Sequence, residues 1–349
     1  MKSLETGFLE GLSVPHRVIK TIRLIGEFKG KQDLFKQQVP EKLEAMRQRA
    51  VIQSTESSNR IEGIEVPRYR LKLLMGHEAE PRNRPEQELA GYRDVLGTLY
   101  ENSEHMRLSS NLILQLHRDL MQYAAHQPGG QWKNTQNQIT ESTSEGQTRI
   151  RFEPVEPFLT AQYMTDLNTQ YKQHLKNSDY DPLILIPLYL LDFLCIHPFS
   201  DGNGRMCRLL TVLLLEQQGY QVARYISLEK LIEKTKESYY ETLFASDRGW
   251  HESQHDPIPW IEYWLGIILA AYRKFESGVD KAVEHAKLTK PELVKQAIFK
   301  FSRPFSRAEL VEKSQASDTT ARNVLRELRA EGVVDSMGHG AGARWFVVE

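Results

Sequence analysis

The sequence predicts an all-α dominated fold: a helical bundle with a β-hairpin flap, followed by a C-terminal winged helix-turn-helix domain. Three observations support this prediction. Apolar residues recur at helical spacing along most of the first 276 residues, one internal stretch alternates like a short strand, and the segment after residue 286 combines three helical patterns with two strand patterns. With 349 residues, 40% hydrophobic and 26% charged, the chain has the size and composition of a globular protein of two or three domains.

The helices are predicted in order along the chain. Residues 1–40 are mixed and only weakly periodic. A helix begins near Glu41, presents Leu43, Met46 and Ala50 on one face, and ends near Gly63, since glycine commonly terminates helices. Further helices are expected at residues 86–102, 109–123, 158–176, 183–196, 205–218, 228–245 and 257–276.

The stretch at residues 126–157 is rich in Gly, Gln, Asn, Thr, Ser and Pro and shows little helical pattern. Within it, Thr148–Phe152 alternates like a strand, so a β-hairpin is expected there. Long loops in compact domains are usually either functional or disordered. We interpret this one as a functional flap.

Charge and cysteine content exclude several classes of protein. The net charge of −1 argues against a general nucleic-acid-coating or polybasic membrane protein. The two cysteines, Cys195 and Cys207, fit a reducing cytosol and are interpreted as core residues. The start of the sequence carries no run like a signal peptide, and the most apolar segment, 183–196, is too short to span a bilayer. We therefore expect a cytoplasmic protein whose central buried helix is this segment.

The C-terminal segment follows the pattern of a winged helix. Helices are predicted at residues 291–301, 306–314 and 317–331, and strands at 333–336 and 344–348 flank Gly338, Gly340 and Gly342. Arg322, Arg326 and Arg329 would share a face of the third helix and could read a DNA groove. Residues 301–349 nevertheless contain seven Lys/Arg and seven Asp/Glu, so a protein-interaction or dimer-packing role is equally compatible.

One stretch organises the prediction of function, and it lies between the apolar segments 183–196 and 209–215. Its residues are His197-Pro198-Phe199-Ser200-Asp201-Gly202-Asn203-Gly204-Arg205-Met206-Cys207-Arg208. A turn of small residues at a helix start presents free backbone N–H groups, and the helix dipole adds positive charge. The stretch therefore predicts a phosphate site beside a histidine that can act as a general base.

This stretch resembles the signature of the Fic (filamentation-induced-by-cAMP) family, His-x-Phe-x-Asp/Glu-Gly-Asn-Gly-Arg-x-x-Arg, at every specified position. Upstream, residues 58–63 are similar to the inhibitory pattern of the self-inhibited subclass with an N-terminal inhibitory helix. The resemblance covers roughly residues 40–275. It implies an N-terminal segment at 1–85 with the inhibitory helix, a Fic catalytic domain at 86–285 and a winged-helix domain at 286–349.

The resemblance also implies roles for individual residues. His197 would be the catalytic base, and Asp201, which could equally be a turn residue, would hold Mg²⁺ or Mn²⁺. Glu62 would inhibit by pairing with Arg208, with Ser58 and Gly63 completing the inhibitory motif. The residues expected to bind ATP are Glu62, His197, Gly202, Asn203, Gly204, Arg205, Met206, Cys207, Arg208 and Tyr240; Tyr240 could equally be a core-edge residue.

The function implied is that of a self-inhibited protein adenylyltransferase, which transfers AMP from ATP to Ser, Thr or Tyr hydroxyls of target proteins and of itself. Gly204 favours AMP transfer over the phosphorylation carried out by a related branch with Lys there. The flap would pair with an extended target segment. Two alternatives stay open: removal of AMP by the same site, and a nucleotide-sensing regulator that binds DNA. A homodimer is also expected from the resemblance, and no membrane association.

Overall fold

The structure, a computed structural model, describes residues 2–38, 40–124, 129–142, 148–287, 289–338 and 342–348. It contains two compact units, Met1–Glu276 and Ser277–Glu349. The three-part division at residues 85 and 285 stays a prediction. Parts of the predicted flap loop, 125–128 and 143–147, lie outside the described residues, as does Gly340 of the predicted wing. No helix in the described part of the chain is long and apolar enough to cross a membrane.

The first unit is built mainly from helices. Their bounds are α1 Thr6–Gly11, α2 His16–Gln38, α3 Pro40–Ile61, α4 Arg68–Met75, α5 Arg84–Asn102, α6 Ser110–Leu120, α7 Pro157–Asn177, α8 Pro182–Ile196, α9 Asn203–Gln217, α10 Leu228–Lys234, α11 Lys236–Asp247 and α12 Ile258–Lys287, with a 3₁₀ turn at Gln221–Arg224. Helix α12 belongs to this unit as far as Glu276. Strands β1 Ile139–Ser142 and β2 Thr148–Phe152 pair antiparallel and form the predicted hairpin.

Helix α8 is the centre of this unit, as predicted. Every residue from Leu183 to Ile196 is buried, because the helix is apolar on all sides and other helices surround it. Its one carboxylate, Asp192, is satisfied inside the core by the backbone N–H and hydroxyl of Ser3 and by Trp250 Nε1 at 2.6 Å. The helix therefore brings its C-terminal end, and the residue that follows, to a fixed position.

The structure differs from the sequence analysis in three places. Residues 1–40, whose weak periodicity predicted no element, contain α2, a continuous helix of 23 residues. The single helix expected at 228–245 is two helices. It breaks at Thr235, whose hydroxyl lies 3.1 Å from the carbonyl oxygen of Leu231 and 2.9 Å from the hydroxyl of Tyr263, so the side chain competes for backbone groups. Helix α4 was missed altogether, although Leu71 and Leu74 are buried along it.

The predicted end of α3 at a glycine is confirmed, and α9 ends in the same way. Gly63 has φ +78° and follows α3, and Gly219 has φ +77° and follows α9. Other residues adopt such left-handed backbone angles less readily than glycine does. Gly63 thus ends α3 directly after Glu62, which leaves that carboxylate at the tip of the helix.

The second unit contains the three predicted helices and the terminal hairpin. The elements are α13 Lys290–Ile298, α14 Arg307–Ser314, α15 Asp318–Ala330, β3 Phe305–Ser306, β4 Val334–Met337 and β5 Arg344–Val347, with the strands in the order β3-β5-β4. Ser306 and Glu309 form a capping box at the start of α14. A core of its own includes Val294, Leu310 and Leu325. Assignment to the winged-helix class stays a prediction.

The three arginines of α15 are partly engaged inside this unit. Arg322 Nη2 lies 3.0 Å from Asp318, and Arg329 Nη2 lies 3.0 Å from Asp335. Arg326 donates to the side chain of Asn323 at 3.2 Å. Since the nearby acids reduce the positive field of this face, DNA binding stays a prediction that these contacts do not favour.

Candidate active site

The turn between α8 and α9 carries the signature. His197 follows α8 directly with φ +50°, and Gly202 precedes α9 with φ +82°. From the first position of α9, Asn203 accepts a hydrogen bond from the Phe199 N–H at 2.9 Å and donates to the Phe199 carbonyl at 2.7 Å. Helix α9 therefore starts at Asn203, two residues earlier than expected. The N–H groups of its first turn have no partners within the helix and suit an anion.

The His197 ring has one nitrogen committed and one available. Nδ1 lies 3.3 Å from the carbonyl oxygen of Leu194. Because a carbonyl can only accept, this contact places the proton on Nδ1 and leaves the Nε2 lone pair as a base. Burial lowers the pKa of His197 to about 4, so the ring is neutral at pH 7. This is the protonation state that a general base requires.

Two cavities meet at His197. One, of about 340 Å³, has an apolar and aromatic wall that includes Tyr239, Tyr240 and Leu243. The other, of about 630 Å³, is polar and includes Asp201 and Arg205 together with Gly202 and Asn203. His197, Glu62 and Gly204 line both. The arrangement offers an aromatic compartment and an anion compartment on either side of one base.

Glu62 and Arg208 are joined, as the sequence predicted. Arg208 Nη2 donates to Glu62 Oε1 at 2.7 Å, and the same guanidinium donates to the hydroxyl of Ser58 at 2.9 Å and to its carbonyl at 3.0 Å. Burial works against the charge of Arg208, but Glu62, Tyr239 and Tyr92 together outweigh it, and the pKa of Arg208 is raised. The end of α3 therefore occupies the donors of the second signature arginine.

Gly204, which is expected to bind ATP, also lies against the side chain of Glu62. Its backbone is helical, so no special φ angle demands glycine. A methyl group added there would collide with Glu62 Oε1 and approach Arg208 Nη1 at 3.3 Å. Because Gly204 has no side chain, the carboxylate of Glu62 fits against its backbone.

Arg205 is held by a partner that the sequence reasoning missed. Its Nη1 lies 2.7 Å from Glu88 Oε2, and both side chains are almost fully buried. Glu88 also accepts from Arg84 Nε at 2.5 Å, and Arg84 reaches Asp201 at 3.0 Å. One feature of the sequence could have indicated a buried carboxylate here: a charged residue, Glu88, stands one position before Leu89 on the buried face of α5. Pairing it with Arg205 required the fold.

Asp201 fits the role of a single carboxylate ligand for a divalent cation. It lines the polar cavity, and its side chain is 31% exposed. Oδ1 accepts from the Gly202 N–H at 2.6 Å and lies 3.4 Å from Arg205, while Oδ2 pairs with Arg84. Among the described residues no cluster of three His, Cys, Asp or Glu could hold a metal by itself. The donor set suits Mg²⁺ whose other ligands are phosphate oxygens and water.

The remaining predicted residues lie at different depths. Tyr240 is 37% exposed and lines the aromatic cavity. The side chains of Met206 and Cys207 are fully buried in the core, and Cys207 has its pKa raised to about 12 by burial. Only their backbone could serve a ligand. Ser58 is buried behind Arg208, and Gly63 lines the polar cavity.

His117 supports the turn from behind and was not predicted. Its ring stacks on Phe199 with centroids 3.6 Å apart. Nδ1 accepts from the Gly130 N–H at 3.0 Å, so Nε2 carries the proton and donates to the Asp201 carbonyl at 3.1 Å. Burial lowers the pKa of His117 to about 4. This neutral ring holds Asp201 in place.

The hairpin is fixed to the wall of the aromatic cavity. Arg151 of β2 pairs with Asp247 at the end of α11 at 2.7 Å, and both side chains are buried. Burial raises the pKa of Asp247 to about 6, with Arg151 acting in the opposite direction. Next to this pair, Phe152 stacks on His251 with centroids 5.3 Å apart. The sequence identified the strand but not its anchor on α11.

Comparison with known proteins agrees with this geometry. The sequence profile of the Fic/DOC family matches residues 107–215, which include the whole turn. Protein adenylyltransferase fic-1 of Caenorhabditis elegans is 25% identical over 162 residues, or 46% of this chain and 27% of that protein. A Fido domain-containing protein of Dictyostelium discoideum is 31% identical over 124 residues, or 36% of this chain and 82% of that protein. The match thus spans about a quarter of the worm relative.

Solved structures share the fold. A Fic family protein from Desulfovibrio desulfuricans G20 superposes with a TM-score of 0.61 and 20% identity over 97% of both chains. A Fic domain containing signaling protein from Bacteroides thetaiotaomicron VPI-5482 gives 0.62 and 21% identity over 74% of this chain and 97% of that one. Since the family profile covers the turn at His197 and most of the Dictyostelium relative is matched, this chain belongs to the Fic/DOC family.

Proposed function

We propose that this chain is a self-inhibited protein adenylyltransferase. The observation that carries the proposal is the neutral His197 ring, whose Nε2 is available at the junction of an aromatic cavity and a phosphate-binding turn. A hydroxyl group can be activated there beside a bound nucleotide. The Fic-type transferases to which the chain is related support this choice.

The reaction follows from the positions of these groups. His197 Nε2 accepts the proton of a Ser, Thr or Tyr hydroxyl, whose oxygen forms a bond to the α-phosphorus of ATP. The bond to the bridging oxygen breaks, and pyrophosphate leaves with its electron pair. The N–H groups at the start of α9 and the guanidinium of Arg205 stabilise the developing negative charge. Asp201 would hold Mg²⁺, which supplies charge neutralisation at the phosphates.

The resting state opposes this reaction at Arg208. A γ-phosphate needs the guanidinium that Ser58 and Glu62 occupy. The carboxylate of Glu62 also lies over Gly204, where the phosphates must approach. Displacement of the end of α3 would free both positions at once, so the proposed inhibition is competitive occupation of the anion compartment.

The experiment is incubation of the protein with ATP and Mg²⁺ or Mn²⁺, with intact mass measured before and after. Glu62→Gly should give an AMP-sized mass gain larger than that of the wild type. His197→Ala should abolish the gain in both backgrounds. An unchanged mass in Glu62→Gly, under conditions where the protein binds ATP, would contradict the proposal.

Removal of AMP from a modified protein is a second candidate for the same site. Glu62 and His197 line the same two cavities, so a carboxylate and a base flank the space where water could attack. A peptide carrying AMP on a threonine separates the two functions. Release of AMP that depends on Glu62 would favour removal. If the protein binds a specific DNA sequence and neither transfers nor removes AMP, the result would favour a nucleotide-sensing regulator that binds DNA.

A further inference from the structure

A lysine outside the signature holds the turn that carries His197. The Lys133 side chain is 3% exposed, and its Nζ donates to the carbonyl of Ile196, the last residue of α8, at 3.1 Å. Its backbone N–H donates to the carbonyl of Pro198 at 2.9 Å. One residue therefore binds the chain on both sides of His197.

Asn137 extends this support. Its side-chain oxygen accepts from Lys133 Nζ at 2.8 Å, and its Nδ2 donates to the carbonyl of Phe199 at 3.0 Å and lies 3.4 Å from that of His197. The carbonyls of four successive residues, 196–199, are thus contacted from the loop that precedes β1. His197 has φ +50°, a conformation in which a non-glycine residue is strained and which surrounding contacts must maintain.

The charge of Lys133 suits its position. In the described part of the chain no carboxylate forms an ion pair with it, and its partners are a helix-terminal carbonyl and an amide oxygen. The C-terminal end of α8 carries partial negative charge, which a buried cation offsets. Burial lowers the pKa of Lys133 to about 8, so it is charged near neutral pH.

We propose that Lys133, with Asn137, is a positioning residue that holds the His197 turn in the geometry for proton transfer. The proposal rests on the function proposed above for the site. Three charged groups influence the pKa of His197: Lys133, Arg151 of β2 and Glu62 after the end of α3. The two cations disfavour the imidazolium and the carboxylate favours it. Lys133 therefore both fixes the base and helps to keep it unprotonated.

The test compares Lys133→Met with a matched control. Lys29 also caps a helix end, since its Nζ donates to the carbonyl of Gln218 after α9 at 2.7 Å, but it faces none of these groups. Titration of the full chain by NMR of ¹⁵N-labelled imidazoles, with His197 assigned by His197→Ala, should show that Lys133→Met raises its pKa by about 0.5 unit or more. Lys29→Met should leave the pKa of His197 unchanged.

The second measurement is the rate of AMP transfer, and it is made in the Glu62→Gly background. Asn137→Ala removes the carbonyl contacts without changing charge, and is the milder variant if Lys133→Met does not fold. It should lower the rate of AMP transfer about tenfold while the affinity for ATP stays within about twofold, because it disturbs the base and not the phosphate turn. Equal behaviour of Lys133→Met and Lys29→Met in titration, or an unchanged rate in Asn137→Ala, would overturn the proposal.

The NMR titration and the rate of AMP transfer together distinguish a failure of this proposal from a failure of the function on which it rests. If no variant transfers AMP, the titration still measures the influence of Lys133 on His197, and a shift confined to Lys133→Met supports the positioning role while the transferase assignment fails. If transfer occurs and depends on His197, but neither Lys133→Met nor Asn137→Ala differs from the control, the transferase assignment stands and the positioning role fails.

Discussion

The ion pair between Arg208 and Glu62 is uneven in its exposure to solvent. The guanidinium is 1% exposed, whereas the carboxylate is 32% exposed, and the two join at 2.7 Å. Arg208 keeps the hydroxyl and carbonyl of Ser58 as partners if Glu62 leaves. When Glu62 alone departs, the buried guanidinium therefore keeps two hydrogen-bond acceptors, and this limits the cost.

Replacement of Glu62 should activate the protein with little loss of stability. We expect Glu62→Gly to raise AMP transfer about tenfold or more and to lower the free energy of unfolding by only about 1–2 kcal/mol, because Arg208 retains two acceptors. Rates are measured from α-labelled ATP and stability by urea titration. Glu44→Gly, at an exposed position of the same helix, controls for glycine in α3 and should not activate.

Gly204 and Glu62 should be coupled in stability. Gly204→Ala places a methyl group against Glu62 Oε1, so it should destabilise the wild type more than it destabilises Glu62→Gly. We expect a coupling free energy of about 1 kcal/mol or more in a double-mutant cycle from urea unfolding. Additive effects would mean that the carboxylate is not held over Gly204.

Glu233 should help to hold the end of α3, which is inhibitory under the proposed function, from outside the site. It lies on α10 and accepts from the hydroxyl of Ser57 and from Lys230 Nζ, each at 2.7 Å, and from Arg60 at 3.4 Å. Glu233→Ala should therefore loosen the end of α3 and raise AMP transfer several-fold, less than Glu62→Gly does. Glu237→Ala, at an exposed position on α11, should leave the rate of AMP transfer unchanged. Equal rates in the two variants would exclude this role of Glu233.

The stability of the protein should fall in mild acid partly through His117. Its pKa is about 4 in the folded state and 6.5 ordinarily, so the unfolded chain binds the extra proton as pH drops below 6.5. This contribution to stability is present above pH 6.5 and is lost as pH falls from there towards 4. His117→Gln should therefore lose less stability than the wild type between pH 7 and pH 5 in urea titrations. His16→Gln, at an exposed position, should follow the wild type.

Local patterns sufficed for much of the fold and of the site. The strongly apolar segment of α8 predicted a buried helix, and Gly63 predicted the end of α3. Each of these depends on residues close in sequence. The pairing of Glu62 with Arg208 was predicted only through the resemblance to a known family.

The missed features depend on residues far apart in sequence. Glu88 and Lys133 are charged side chains buried by partners that only the fold supplies, so a reading of local periodicity treats them as surface residues. The break at Thr235 was missed for a related reason, because its hydroxyl is directed in part by Tyr263 on another helix. Long-range polar contacts thus limit what the sequence alone can predict about this site.

The two signature arginines, Arg205 and Arg208, are both paired in the structure, and this has a consequence for the binding of a nucleotide. Arg208 is paired with Glu62 and Arg205 with Glu88, so carboxylates from two different helices already balance both positive charges. Under the proposed function, binding of ATP would be an exchange of anions in which phosphate oxygens compete with side chains of the protein itself. Adenosine, which brings no charge, should bind equally well with or without Glu62, whereas each added phosphate should make affinity more sensitive to that carboxylate.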